Sequence, residues 1–441
     1  MSGTTFQITP EEHKHANELL NFVQSSPSPF HAVKSVIDYL LPFGFKELRL
    51  ADKWLLTPGG KYVATRNGSS LIAFVIGLSS PEESGFHILG AHTDSPTFRL
   101  KPFPVIPVEG KYLKLNVETY GGPILNTWLD RPLSLAGRIV TKGKSTYTPN
   151  SMLFKSPYSL LTIPNLAIHM NRKVNEGIAL NKQKDLLPLL GMLEEGINKD
   201  EVLIQLISEQ LQIKTENILD FDLFLYENDR GSIIGLNQEF ISCSRLDDLA
   251  MVHAGSWALA HSNRNQATSV LACFDNEEVG STTKQGAASP FLSSVLERIS
   301  LSLGKDREAY YQALSRSFMV SADMAHALHP NSAEMHDPVN RPILNGGPVI
   351  KISANMSYTS DAESTAVFQG ICTDAQVPVQ MFVNRSDERG GTTIGPISAT
   401  HLDIPSVDVG NPLLGMHSVR ELGGVKDHLA MSRAFKQLFN G

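Results

Sequence analysis

Apolar, β-prone runs alternate with amphipathic helical ones along this chain. The alternation stops near residue 101 and resumes near residue 241. Alternating strands and helices call for a sheet with helices on both faces. The stretch between, 101–240, has another texture. Prolines, glycines and short β-prone runs fill its early part, at 112–120 and 134–140, and a polar helical stretch follows at 184–211. A segment that interrupts a rhythm later resumed is an insertion. The expectation is therefore a discontinuous α/β domain over 1–100 and 241–441, with an inserted β-rich domain over 101–240. A chain of 441 residues is also too long for one ordinary core.

Within the first segment, 11–24 reads as a helix ended by the breaker cluster Ser25-Ser26-Pro27-Ser28-Pro29. A second helix is expected over 30–41, stopped by Pro42 and Gly44. Two runs, 61–66 and 71–76, flank Asn67-Gly68, which is a hairpin pattern. After the insertion, helices are expected over 249–261, 363–374 and 418–439, and strands over 269–274, 317–321, 349–353 and 377–383. In open α/β sheets, functional side chains collect at the carboxyl ends of the strands.

Composition narrows the class. A net charge of −7 gives no basic footprint for nucleic acid. The three cysteines, Cys243, Cys273 and Cys372, are far apart, which points away from a disulfide framework and from a cysteine zinc site. Met1 to Ala16 is polar and lacks the charged-then-apolar layout of a signal peptide. No stretch approaches the roughly 20 apolar residues that cross a bilayer. These features read as a cytoplasmic protein without membrane or nucleic-acid partners.

Four segments put histidine or carboxylate just after an apolar run: Gly90-Ala91-His92-Thr93-Asp94, Arg245-Leu246-Asp247-Asp248, Asp275-Asn276-Glu277-Glu278 and Ser321-Ala322-Asp323-Met324. A fifth, Gly415-Met416-His417-Ser418, precedes the last expected helix. Taken singly, each has an ordinary explanation. Acidic runs are commonly solvated loops, and Asp247-Asp248 could cap the helix that follows. Together they form an inventory. Zinc accepts imidazole nitrogen and carboxylate oxygen, and two metals about 3.5–4 Å apart need a bridging carboxylate with terminal ligands on each side. Adjacent Glu277 and Glu278 could divide labour, one binding metal while the other moves a proton. Asp94 could hydrogen-bond the far ring nitrogen of His92.

These segments resemble the M18 metallopeptidases, the aspartyl aminopeptidase family. So do Ser26-Pro27-Ser28-Pro29-Phe30-His31-Ala32-Val33, Gly391-Thr392-Thr393-Ile394-Gly395-Pro396 and Met416-His417-Ser418-Val419-Arg420-Glu421, and the resemblance spans nearly the whole chain. It implies a zinc-peptidase fold, a phosphorylase/hydrolase-like three-layer α/β sandwich, with the insertion serving as a dimerisation domain in a dodecameric homo-oligomer. It implies two divalent metal ions, most simply zinc, held by His92, Asp247, Glu278, Asp323 and His417. Asp247 would bridge them, Glu277 would be the general base and acid, and Asp94 would orient His92. The family often has Asn after the bridging Asp where this chain has Asp248, so whether Asp247 or Asp248 bridges stays open. Lys351 matches a position thought to face the substrate. His169 looks like the inserted-domain histidine that reaches a neighbouring subunit. The activity implied is removal of N-terminal Asp or Glu from peptides through a metal-bridging hydroxide. A deacylase or carboxypeptidase on the same kind of fold, with Lys351 as a carboxylate anchor, is the nearest alternative. A non-enzymatic self-assembling scaffold is a more distant one.

Overall fold

A computed structural model describes residues 6–441, apart from 194, 195, 197, 264 and 389. The chain forms two compact units. One runs through Asp94 and also holds Gly231–Met416 and Glu421–Gly441; the other holds Ser95–Arg230 and His417–Arg420. The expected breaks at 100/101 and 240/241 thus lie several residues away. The strand Thr97–Val108 is continuous and belongs to the second unit, whereas Ser232–Ile234 pairs with Phe240–Cys243 in the first.

The first unit is built on a nine-stranded sheet. Its middle runs Ser70–Val75, Thr268–Phe274, Phe86–His92, Phe318–Ala322 and Ser406–Gly410, in that order. The last four are mutually parallel. Strands buried on both faces read as continuous apolar runs, and every residue of Thr268–Phe274 is buried. Leu271 and Cys273 point into a core shared with the helices Pro10–Ser25, Pro29–Leu40, Leu246–His261 and Val425–Asn440. Val270, Ala272 and Phe274 point into another, shared with Phe291–Ser302, Arg307–Ser315 and Ile394–Leu402. The period-two alternation of a strand thereby produces three layers. Toward one side of the sheet, Lys61–Arg66 and Ser70–Val75 pair antiparallel around Asn67 and Gly68, whose φ angles of 59° and 69° suit Asn and Gly and few other residues.

The second unit is a six-stranded antiparallel sheet with the helix Lys199–Leu211 packed on its core. The helix expected over 184–211 is shorter than the sequence suggested, and residues 194, 195 and 197 of that range lie outside the described residues. Pro188 lacks an N–H, and Gly191 falls in the strand Leu189–Met192 that takes its place. The last helix begins at Val425 rather than 418, because Glu421–Gly424 is a strand paired with Phe240–Cys243. Among the described residues, no helix is long and apolar enough to cross a membrane.

Three buried histidines tie the helices of the first unit together. His253 Nδ1 and His428 Nε2 are 2.8 Å apart, and His15 Nε2 lies 2.8 Å from Ser432 Oγ. The His253 and His428 ring centroids are 5.0 Å apart with planes within 27°, so the two imidazoles meet in line, one N–H on the other's lone pair. Burial, then the neighbouring imidazoles, holds His253 and His428 well below their ordinary pKa. The unfolded chain therefore binds these protons more readily. The stability they contribute is complete above pH 6.5 and falls as the pH drops below it, by up to about 1.4 kcal/mol per pH unit for each ring. Thermal melting from pH 7.5 to 5 should show a steep loss for the wild type and a shallower one for His428→Gln. Equal slopes would contradict this reading.

Candidate metal centre

Strand register builds the site. Phe274 pairs with His92, and Ser321 pairs with Gly90, so three parallel strands end at one level. The residues that follow those ends are Asp94, Asp275 to Glu278, and Asp323. The fourth contribution comes from Asp247 and Asp248 at the start of Leu246–His261, just after the strand Phe240–Cys243. Asn276 takes φ 65°, a left-handed turn that Asn tolerates, and its Oδ1 accepts from Thr283 Oγ1 at 2.9 Å and Gln285 Nε2 at 2.8 Å. That turn carries the chain from the strand end into Glu277 and Glu278.

His92 is at the centre. Its Nδ1 lies 3.1 Å from the Asp94 carbonyl oxygen, which can only accept, so Nδ1 donates there. Nε2 then faces Asp247 Oδ1 at 3.3 Å and Asp323 Oδ1 at 3.9 Å. The Asp94 carboxylate has a second task that sequence reading did not find. Its Oδ1 accepts the Glu277 N–H and its Oδ2 the Glu278 N–H, both at 3.2 Å. One residue thus joins the two arms, the histidine through its carbonyl and the glutamates through its carboxylate.

Asp248 does not cap the helix. Its Oδ2 accepts the His92 backbone N–H at 3.0 Å, and the residue is fully buried. The Asp247–Asp248 peptide is cis, and the Asp247 N–H donates to Glu421 Oε2 at 3.0 Å. Glu421 was visible in the sequence only as part of a motif, with no role attached to it. Asp247 is the member of the pair that faces Nε2 of His92.

Among the described residues, two of the sets that bring possible ligand atoms within 4.8 Å of one another contain His92: His92 with Asp247, Asp248 and Asp323, and His92 with Glu277 and Glu278. Burial and then the adjacent carboxylates Asp323, Asp94 and Asp247 push Glu277 up to about 8, against the pull of His92. Burial works to lower the His92 pKa, yet Asp248, Asp247, Asp323 and Asp94 hold it well above its ordinary value. So many carboxylates around one imidazole leave negative charge that a divalent cation would balance. Imidazole nitrogen with carboxylate oxygen is also a donor set zinc accepts. The residues fit the divalent metal binding that the resemblance implies.

His417 stands in the second unit, not in the discontinuous domain where the sequence placed it. The reason is local bonding. The Ile124 N–H donates to its carbonyl at 2.9 Å, its Nδ1 donates to the Gly122 carbonyl at 3.1 Å, and Val419 N–H reaches Thr127 Oγ1 at 2.9 Å. With Nδ1 donating there, Nε2 keeps the lone pair. His169 is exposed in the second unit. Lys351 belongs to the first unit and is 2% exposed, with Nζ donating to the carbonyls of Asp323 at 2.9 Å and Met324 at 3.2 Å.

The chain is similar to known proteins along its length. The family described as Aminopeptidase I zinc metalloprotease (M18) matches residues 22–439. A probable M18 family aminopeptidase 2 of Clostridium novyi is 56% identical over 427 residues, covering 97% of this chain and 99% of its own. A chain of the Ape4 and Nbr1 complex, seen by cryo-EM, matches with a TM-score of 0.94 at 38% identity, covering 99% of this chain and 88% of its own. The mApe1 dodecamer of S. cerevisiae matches with a TM-score of 0.85 at 28% identity, over 98% of this chain and 97% of its own.

Proposed function

The chain belongs to the M18 family of metallo-aminopeptidases, and from that premise we propose that it removes acidic residues, Asp or Glu, from the N-termini of peptides by two-metal hydrolysis. The observation that supports the chemistry most is the convergence of His92, Asp323 and the Glu277-Glu278 pair at aligned strand ends, with Asp247 beside them at the start of Leu246–His261. In this reading Asp247 would bridge, His92, Glu278 and Asp323 would be further ligands, and His417 would be the ligand that the family resemblance adds. Two zinc ions held there would acidify a shared water and polarise the scissile carbonyl.

The protein's own groups do the rest. Asp94 fixes the His92 ring and the backbone of both glutamates. Glu277 takes a proton at its carboxylate and returns it to the leaving amine. Its partly enclosed position keeps bulk water from competing for that proton.

The acidic preference is argued from a cavity of about 240 Å³ in the first unit, lined by His326, His329, His336 and Arg385 beside the carboxylate Glu388, with Arg385 also paired to Asp387 at 2.7 Å. Its lining includes His326, three residues beyond Asp323. Imidazole and guanidinium N–H groups are the donors that a side-chain carboxylate requires. Hydrogen bonds to a charged group contribute about 1.5–3 kcal/mol. The kcat/KM for Asp and Glu chromogenic substrates should thus exceed that for Ala or Leu by roughly 10–100-fold. Equal rates on neutral residues would keep the mechanism and remove the preference.

We assign the exposed His169 a substrate contact in a neighbouring subunit of a homo-oligomer. The S. cerevisiae relative, a dodecamer, supports such an assembly. The three buried cysteines carry no disulfide, which fits a reducing cytoplasm. The carboxypeptidase alternative needs Lys351 as an open anchor, and the enclosure of that side chain speaks against it.

A further inference from the structure

Asp408, in the strand Ser406–Gly410, is a fully buried carboxylate that stands outside the candidate metal cluster. A carboxylate offers about four acceptor positions, and four donors from three separate segments meet this one. Ser321 Oγ donates to Oδ1 at 2.7 Å, and Thr393 Oγ1 donates to the same oxygen at 2.6 Å. The N–H and the hydroxyl of Thr359 donate to Oδ2 at 2.6 and 2.8 Å. The backbone N–H of Asp408 adds a fifth bond, to Ser360 Oγ at 2.9 Å. Burying a carboxylate is unfavourable unless its oxygens are matched, and here the matching draws three segments onto one side chain. The packing around it is close: a Cβ added at Gly395 would lie 2.5 Å from Oδ2.

Each of those segments adjoins the strand ends that carry the proposed metal ligands. Ser321 stands two positions before Asp323. Ile394, next to Thr393, closes on Gly90, two positions before His92; a Cβ added at Gly90 would lie 3.0 Å from the Ile394 Cδ1. Tyr358, next to Thr359, is buried in a small apolar cluster with Ala325, two positions past Asp323. Residues 353–361 and 390–393 belong to no helix or strand, so no ladder of backbone bonds fixes them. They meet each other where Thr392 Oγ1 donates to the Ser357 carbonyl at 3.2 Å, and Gly391 and Thr392 are exposed there. Asp408 thus ties two irregular segments to the ligand-bearing strand ends. The crevice outside such ends is where open α/β sheets bind their ligands.

From this geometry we infer that Asp408 is a positioning residue that holds 357–361 and 391–394 together as one wall of the peptide-binding crevice. This rests on the proposed peptide hydrolysis. His92 has supports of its own in Asp248 and Asp94, so loss of Asp408 should weaken peptide binding and spare zinc binding. The test is Asp408→Asn, whose amide keeps one acceptor oxygen and turns N–H donors toward other donors. Beside it stand Thr359→Val, which removes one hydroxyl at constant shape, and Thr359→Ser, which keeps that hydroxyl. KM and kcat are measured on a short peptide beginning with aspartate, and zinc affinity by competition with a chromogenic chelator. Asp408→Asn should raise KM roughly 10–100-fold, with kcat changed far less and zinc affinity kept. Thr359→Val should raise KM in the same direction by roughly 2–10-fold, and Thr359→Ser by less. If Asp408→Asn does not fold, the two Thr359 variants carry the comparison. An unchanged KM in folded variants, or a fall in kcat that follows a loss of zinc, would overturn the inference. A wild-type chain that binds zinc but releases no residue from the peptide would overturn the proposed hydrolysis, and this role with it.

Discussion

Glu277→Gln should lower kcat by roughly 10²–10⁴-fold while leaving the zinc content unchanged. The amide is nearly isosteric with the carboxylate, and the Glu277 backbone N–H still donates to Asp94. What disappears is the ability to take a proton from water and return it to the amine. KM should move little, because the side chain acts on the proton and not on the peptide's resting position. Metal analysis and steady-state kinetics on one preparation check this. A variant that loses zinc would make Glu277 a ligand, and one that keeps its kcat would remove it from the reaction.

Asp247→Ala should abolish activity and the uptake of both metals. A bridging carboxylate serves two ions, so its loss is felt twice. The apo protein should respond in the opposite direction. Asp247 crowds against Asp323 and Asp248 beside a single imidazole, and removing one carboxylate relieves that repulsion. The backbone bond from residue 247 to Glu421 survives the change. The metal-free variant should melt no lower than metal-free wild type. Wild type should gain about 2.7 kcal/mol when free zinc stands at 100 times its Kd, and the variant should gain nothing. Differential scanning calorimetry with and without zinc reads both effects. A variant still stabilised by zinc would shift the bridging role to Asp248.

Much of this was legible from residue order. A polar or ionisable side chain placed directly after an apolar run marks a strand end, and parallel strands align such ends. That logic brings out His92, Asp323 and the Glu277-Glu278 pair. The Asn67-Gly68 hairpin is legible for a local reason, since few residues accept its φ values.

What escaped depends on contacts between distant residues. Asp94 reaching the backbone of Glu277 spans 183 positions, and no local pattern announces it. Asp248 reads as a helix cap because Asp is favoured there; the His92 N–H, 156 positions away, claims its carboxylate instead. His417 lies in a stretch that reads as part of the first domain, yet hydrogen bonds to Gly122 and Ile124 place it in the inserted unit. Lys351 reads as a strand lysine available to ligands, and only the fold reveals that Asp323 and Met324 occupy its protons.

The most direct test of the metallo-aminopeptidase reading is mass spectrometry of a short peptide beginning with aspartate, incubated with the zinc-loaded chain beside its N-acetylated twin. The predicted result is loss of the first residue from the free peptide alone, stopped by chelator and restored by zinc. Cleavage of the acetylated peptide at the same rate, removal of residues from the carboxyl end, or turnover indifferent to chelator would contradict it.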